Sequence, residues 1–217
     1  GFVGGPGETQ IEAAKRAIDH QLVRLRRKLD KIKKTRDLHR TSRARVPFPT
    51  IALVGYTNAG KSSLFNLLTG ANEFSENMLF ATLDPKMRAI NLSSKTKIII
   101  SDTVGFISNL PTELIAAFRA TLEEVLAADV ILHVRDISHD NSEVHCLEVE
   151  KVLQSLGVSD ATPILEIWNK IDLLEPEMRE SLKNISDRKV GVCCLSAFNG
   201  DGVSILNEKV RNLIEPE

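Results

Sequence analysis

A chain of 217 residues that is 42% hydrophobic and 26% charged can bury the core of one domain of ordinary size and carry an appendage besides. No uncharged apolar run approaches the ~20 residues that cross a bilayer, so stable membrane insertion is not expected. Cys146, Cys193 and Cys194 have neither the number nor the spacing of a disulfide framework or a zinc site, which points to a reducing, cytoplasmic setting. The formal net charge of −1 hides an asymmetry: residues 1–50 hold 13 Lys/Arg against five acids, a net +8 that leaves −9 on the remainder.

In chain order, the opening GFVGGPGE is too rich in glycine for a regular helix. Thr9 with Glu12 reads as a capping box, and residues 9–43 contain neither Pro nor Gly. Ile11, Ile18, Leu22, Leu25, Leu29 and Ile32 make one narrow apolar seam, on a single helix or on a hairpin of two. Pro47 and Pro49 end the pattern. Residues 1–46 are therefore expected to form a basic helical arm, with residues 47–217 as a separate domain. So many cations with scarcely any aromatic suit contact with an RNA phosphate backbone better than base stacking. The plainer alternative is a solvated coiled hairpin, or an arm folded back on the acidic body.

From Thr50 the pattern alternates. The β-branched runs TIALVG, KIIISD, VILHVRD, PILEIWN and KVGVCCL are separated by helix-like segments near 60–69, 112–127, 140–156, 175–186 and 201–214. KMRAINL (86–92) fits a further strand beside KIIISD. Nearly continuous apolar strands alternating with helices predict a doubly wound α/β fold, with a mostly parallel six-stranded sheet covered on both faces.

Four loop motifs fall at the ends of these strands. GYTNAGKSS supplies Gly55, Tyr56, Thr57, Asn58, Ala59, Gly60, Lys61, Ser62 and Ser63 between a strand and a helix, as a phosphate-cradling P-loop requires. In that role Lys61 reaches the β- and γ-phosphates and Ser62 holds Mg²⁺. NKID places Asn169, Lys170 and Asp172 in the loop after the fifth strand run, about 110 residues beyond the P-loop, and Ser196 with Ala197 follows the last run. The Asp172 carboxylate can accept from both N1–H and the exocyclic amine of guanine. Adenine has an acceptor at position 1 and no 2-amino group, so the site reads GTP or GDP rather than ATP. Asp102 closes its strand as the acid that holds Mg²⁺, and Gly105 offers its N–H to the γ-phosphate. Thr82 in FATLDP is the candidate for completing the magnesium shell, with Thr57 as a weaker rival, and Phe80 lies beside it at the nucleotide. The groups expected to act on the reacting phosphate are Lys61, Thr82 and Gly105; those on the metal are Ser62, Thr82 and Asp102.

The set GYTNAGKS, FATLDP, DTVGF, NKID and SA resembles the translation-factor class of P-loop GTPases. More narrowly, GGPGETQIE, the basic segment, VGYTNAGKSSL, LFATLDP and DTVGF together resemble the HflX family. The resemblance implies a GTPase that binds the large ribosomal subunit and its RNA and helps to split or rescue ribosomes; no DNA partner is implied. It also implies a further N-terminal domain ahead of this chain. One departure stands out. Phe198 follows Ser196 and Ala197 where relatives usually carry lysine. Phe106 stands where small GTPases such as Ras place a water-orienting glutamine, so hydrolysis is expected to be slow alone and accelerated by a partner. In relatives of the Era and MnmE type an Asn at the place of Asn58 helps hold K⁺, which makes Asn58 a K⁺ candidate beside its plainer role of shaping the loop. The alternative function is a nucleotide-gated RNA-binding or assembly module with negligible hydrolysis.

Overall fold

A computed structural model describes residues 48–70, 86–92, 96–103, 105–106, 122 and 124–215. The expected arm at 1–46, the candidates Phe80 and Thr82, and most of the expected helix near 112–127 lie outside these residues. The described elements are β1 (Thr50–Val54), α1 (Lys61–Thr69), β2 (Lys86–Asn91), β3 (Lys97–Asp102), β4 (Val130–Asp136), α2 (Ser142–Leu156), β5 (Ile164–Asn169), a short 3-10 turn (Ile171–Leu173), α3 (Pro176–Arg188), β6 (Val192–Cys194) and α4 (Val203–Ile214).

The strands make one sheet in the order β2-β3-β1-β4-β5-β6. Only β2 runs antiparallel, pairing Lys86 with Asp102 through Asn91 with Lys97. Its exposed, charge-bearing face suits an edge, where unpaired backbone groups must meet water rather than another chain. β1 lies at the centre, parallel to β3 on one side and β4 on the other.

Strand periodicity sorts the core into two layers. Ile51 and Leu53 turn to the face covered by Leu64 and Phe65 of α1 and by Leu206 and Val210 of α4. Ala52 and Val54 turn to the opposite face, against Val149 and Leu153 of α2 together with Leu122 and Val125. Each of the fully buried branched side chains contributes roughly 1.5–3 kcal/mol relative to exposure. Because β1 has neighbours on both sides and helices on both faces, its carboxyl end opens where the winding reverses. Ligands of such sheets bind at that switch point. The loops after β1, β3, β5 and β6 all leave from this edge.

Candidate functional site

The chain leaves β1 through Gly55 (φ 151°), where a Cβ would sit 2.2 Å from the carbonyl oxygen of Val134 in the neighbouring strand. Only glycine passes so close to another backbone. Asn58 adopts a left-handed conformation (φ 59°) inside the turn, and Gly60 (φ 96°) caps α1. That cap offers no side-chain bond, and the first turn of α1 has no acid. The N–H groups opening a helix lack intrahelical acceptors and carry a partial positive charge. The loop therefore presents a cationic backbone concavity suited to phosphate.

Lys61 lies inside this concavity and is only 6% exposed. Its Nζ donates to the carbonyls of Gly55 (3.1 Å) and Tyr56 (2.9 Å). Burial lowers its pKa to about 8, against the opposing pull of Asp102. Beside it the Ser62 hydroxyl donates to Asp102 Oδ2 at 2.8 Å. A hydroxyl and a buried carboxylate are hard oxygen donors of the kind Mg²⁺ takes while keeping waters and phosphates, so these residues fit that ion. Among the described residues no group of three or more His, Cys, Asp or Glu could hold a metal.

The segment after β3 is laced to the P-loop. The Thr103 hydroxyl donates to Leu53 O (2.6 Å), Phe106 N–H donates to Gly55 O (3.1 Å), and Thr57 N–H donates to Phe106 O (2.7 Å). Gly105 is pressed close: a Cβ there would lie 3.0 Å from Lys61 Nζ and 3.0 Å from Thr57 Cα. The Phe106 ring is 3% exposed and packs in the layer of Val54, Leu122 and Val125. A side chain committed to the core orients no water. It anchors instead the backbone that carries Gly105.

Asn169 joins the other loops to this one. It is 1% exposed, donates through Nδ2 to Ala59 O (2.8 Å) and accepts through Oδ1 from Ala197 N–H (2.9 Å). Gly60 permits that approach, since a Cβ there would stand 2.2 Å from Asn169 Nδ2. The Asp172 carboxylate accepts from the Ser196 hydroxyl. Ser196 Oγ also accepts from the N–H groups of Phe198 and Asn199, at 3.3 Å each. Together these loops line a cavity of about 660 Å³ that includes Gly60, Ser63, Asn169, Lys170, Asp172 and Ala197. That is the size class of small-molecule sites.

Two residues here, Asp136 and Arg179, were given no role by the sequence reading. Lys170, held left-handed (φ 66°), donates to Asp136 Oδ2 at 2.7 Å. Asp136 faces Asn169 in the β4–β5 register, so the strand order would have exposed its role. Arg179, in the first turns of α3, donates to the carbonyls of Ile171 (2.8 Å), Asp172 (3.0 Å) and Leu174 (3.2 Å). Its only sequence trace is a cation seven residues after Asp172. Arg135 bonds to Glu143 (2.6 Å) and Glu166 (2.7 Å), crosslinking β4, α2 and β5 beneath the site. Behind the P-loop Tyr56 stacks on His145, with ring centroids 3.7 Å apart and planes inclined by 6°. Burial pushes the pKa of neighbouring His133 down to about 4, so it is neutral at pH 7. The buried thiols of Cys146 and Cys193 are raised to about 12, as apolar fillers should be.

A family model described as "50S ribosome-binding GTPase" matches residues 50–170, and one described as "GTP-binding GTPase Middle Region" matches residues 1–43. A "GTPase HflX" of Magnetococcus marinus is 47% identical over 214 residues, covering 99% of this chain and 49% of that protein. A "GTPase HflX" of Escherichia coli is 38% identical over 213 residues, covering 98% of this chain and 50% of that protein. The chain thus spans about half the length of the curated relatives it matches. A GTP-binding protein from Sulfolobus solfataricus, solved in complex with GDP, superposes with a TM-score of 0.62 at 28% identity, over 93% of this chain and 59% of that one.

Proposed function

The chain belongs to the HflX family of GTPases, and on that premise we propose that it binds GTP with Mg²⁺ and hydrolyses it to GDP and phosphate, slowly alone and faster on the large ribosomal subunit, in ribosome splitting or rescue. The observation that carries the reading is the Asn169 amide, which ties the phosphate loop at Ala59 to the base loop at Ala197. A polyphosphate on the P-loop and a guanine on Asp172 then belong to one ligand.

In this reading the Lys61 ammonium stands against the β- and γ-phosphate oxygens, already stripped of water before the ligand arrives. A preset charge in a dry site gives the most to a transition state in which negative charge spreads over those oxygens. Ser62 and Asp102 would hold Mg²⁺, which when bound supplies further positive charge to the phosphates. The Gly105 N–H would be offered to the γ-phosphate, and Thr82, which lies outside the described residues, is the residue that would complete the magnesium shell. Asp172 accepts from guanine N1–H and the 2-amino group, with Ser196 and Lys170 framing it.

Nothing at position 106 places the attacking water, so much of the barrier is left for a partner to lower. The comparable gain that an activator gives Ras, ~10⁵, amounts to ~7 kcal/mol. The description of the matching family model and the +8 net charge of residues 1–50 support ribosomal RNA as that partner's surface. Single-turnover hydrolysis of GTP with and without purified large subunits tests this. A rate increase of several orders of magnitude is expected. Equal rates would remove the ribosome as activator, and no turnover in either case would favour a nucleotide-gated binding module.

A further inference from the structure

Among the described residues, only Asn58 and Lys170 hold a left-handed backbone without being glycine. Asparagine tolerates that conformation because its short amide can bond locally, but a lysine has no such relief and needs an outside hold. Lys170 finds one across the sheet. Its Nζ donates to Asp136 Oδ2 at 2.7 Å, with the two side chains 23% and 16% exposed. The carboxylate is itself fixed, since Oδ1 accepts from both the N–H (3.1 Å) and the hydroxyl (2.6 Å) of Ser138. The β4–β5 pairing sets Asp136 beside Asn169, and the Ile137 N–H donates to Asn169 O at 3.1 Å. The pair also joins two cavities. Lys170 lines the 660 Å³ cavity with Asp172, while Asp136 lines a smaller one of about 180 Å³ against Thr57, Asn58 and Ala59 of the phosphate loop.

We propose that Asp136 is a positioning residue for the nucleotide, acting through the Lys170 ammonium. This rests on the nucleotide-binding reading above and deepens it. A lysine side chain is long and loses much rotamer freedom when it is fixed, so a loose one must be ordered by the ligand it meets. Asp136 does that ordering beforehand, and the ligand then enters a wall already set. A role in stability alone accounts poorly for the pair, because ion pairs open to water contribute little to a fold. Nor does the pair read the edge of the base. That edge falls to Asp172, whose carboxylate is oriented by the Ser196 hydroxyl. Loss of Asp136 therefore weakens the binding of different purine diphosphates alike, and does so only while Lys170 is present to be positioned.

The experiment is calorimetric titration of the whole chain, as wild type, Asp136→Asn, Lys170→Met and the double variant, with GDP and with IDP, which lacks the 2-amino group. Asp136→Asn keeps the shape of the side chain and an oxygen for Ser138, so the fold should survive it. Its Kd is expected to rise about 3- to 20-fold for both ligands, with an unchanged GDP/IDP ratio. In the Lys170→Met background the same substitution should change Kd by less than twofold, because the group it positions is gone. Ser138→Ala, which loosens the carboxylate without removing it, should act in the same direction and likewise lose its effect in Lys170→Met. A Kd for Asp136→Asn within twofold of wild type overturns the proposal, even if the thermal unfolding midpoint falls, and leaves the pair a structural one. A loss undiminished in Lys170→Met also overturns it, since Asp136 would then act by another route. A changed GDP/IDP ratio does the same, because the turn carrying Asp172 would have moved. Failure of the wild type to bind GDP defeats the nucleotide reading itself, a distinct result from the variant matching the wild type.

Discussion

Lys61 is a cation held where water cannot reach it, and its titration reports the state of the site. Burial sets its pKa near 8, below the ordinary 10.5. A polyphosphate beside it favours the charged form and raises that value, so binding takes up a proton above pH 8. The affinity for GDP should be flat below pH 8 and fall as pH rises beyond it, by about tenfold between pH 7 and pH 9. Calorimetry in buffers of different ionisation enthalpy checks this, with proton uptake expected at pH 9 and little at pH 7. The fold of the free protein responds in the opposite direction. The unfolded chain binds the extra proton between pH 8 and 10.5, so the buried charge weakens the fold in full below pH 8 and that penalty is relieved as pH rises toward 10.5. Phe106 shows where reading single residues stops. Its chemistry excluded a water-orienting role from sequence alone, yet the positive reason for an apolar residue there, a seat among Val54, Leu122 and Val125, needed the packing.

At the scale of elements, the strands were legible because burial on both faces leaves nearly unbroken apolar runs, and all six runs became strands. The P-loop and the NKID turn stand out in the sequence because serving phosphate and guanine would restrict the residue types that can stand there. Arg179 was not, since its three bonds go to backbone carbonyls that any sequence would supply. It ties α3 to the 3-10 turn and so holds the backbone that carries Asp172. Arg179→Ala should therefore lower the preference for GDP over IDP several-fold, with a stability loss of about 1–3 kcal/mol from the stranded carbonyls. Arg179→Lys, keeping one donor, should restore part of the preference. A variant that loses stability while keeping the full GDP/IDP ratio would make Arg179 a packing residue only. Asp136 belongs to the same class, visible only once β4 is known to lie beside β5.

For the molecule as a whole, the doubly wound order follows from strand-helix alternation, but which strands flank β1 does not, because periodicity is blind to neighbours. The order matters for stability. It buries His133 of β4 beside β1, opposite Val54, with its pKa near 4, lowered chiefly by burial; Glu166 opposes that shift, while Arg135 and Lys61 add to it. The unfolded chain binds this proton near pH 6.5, so the stability His133 confers is complete above that value and drains away as pH falls toward 4. Urea midpoints measured from pH 7 to pH 4 should decline through this window, and His133→Gln should flatten that part of the curve. The magnitude, for a drop from 6.5 to about 4, is on the order of 3 kcal/mol. The Asn169 clasp also fixes a spacing. Guanosine and inorganic diphosphate offered as separate fragments would each meet a half-site already aligned with the other, and each would bind feebly. Joined by the phosphoester at the 5′-oxygen they forfeit translational freedom only once, so the intact compound should outperform the product of its halves.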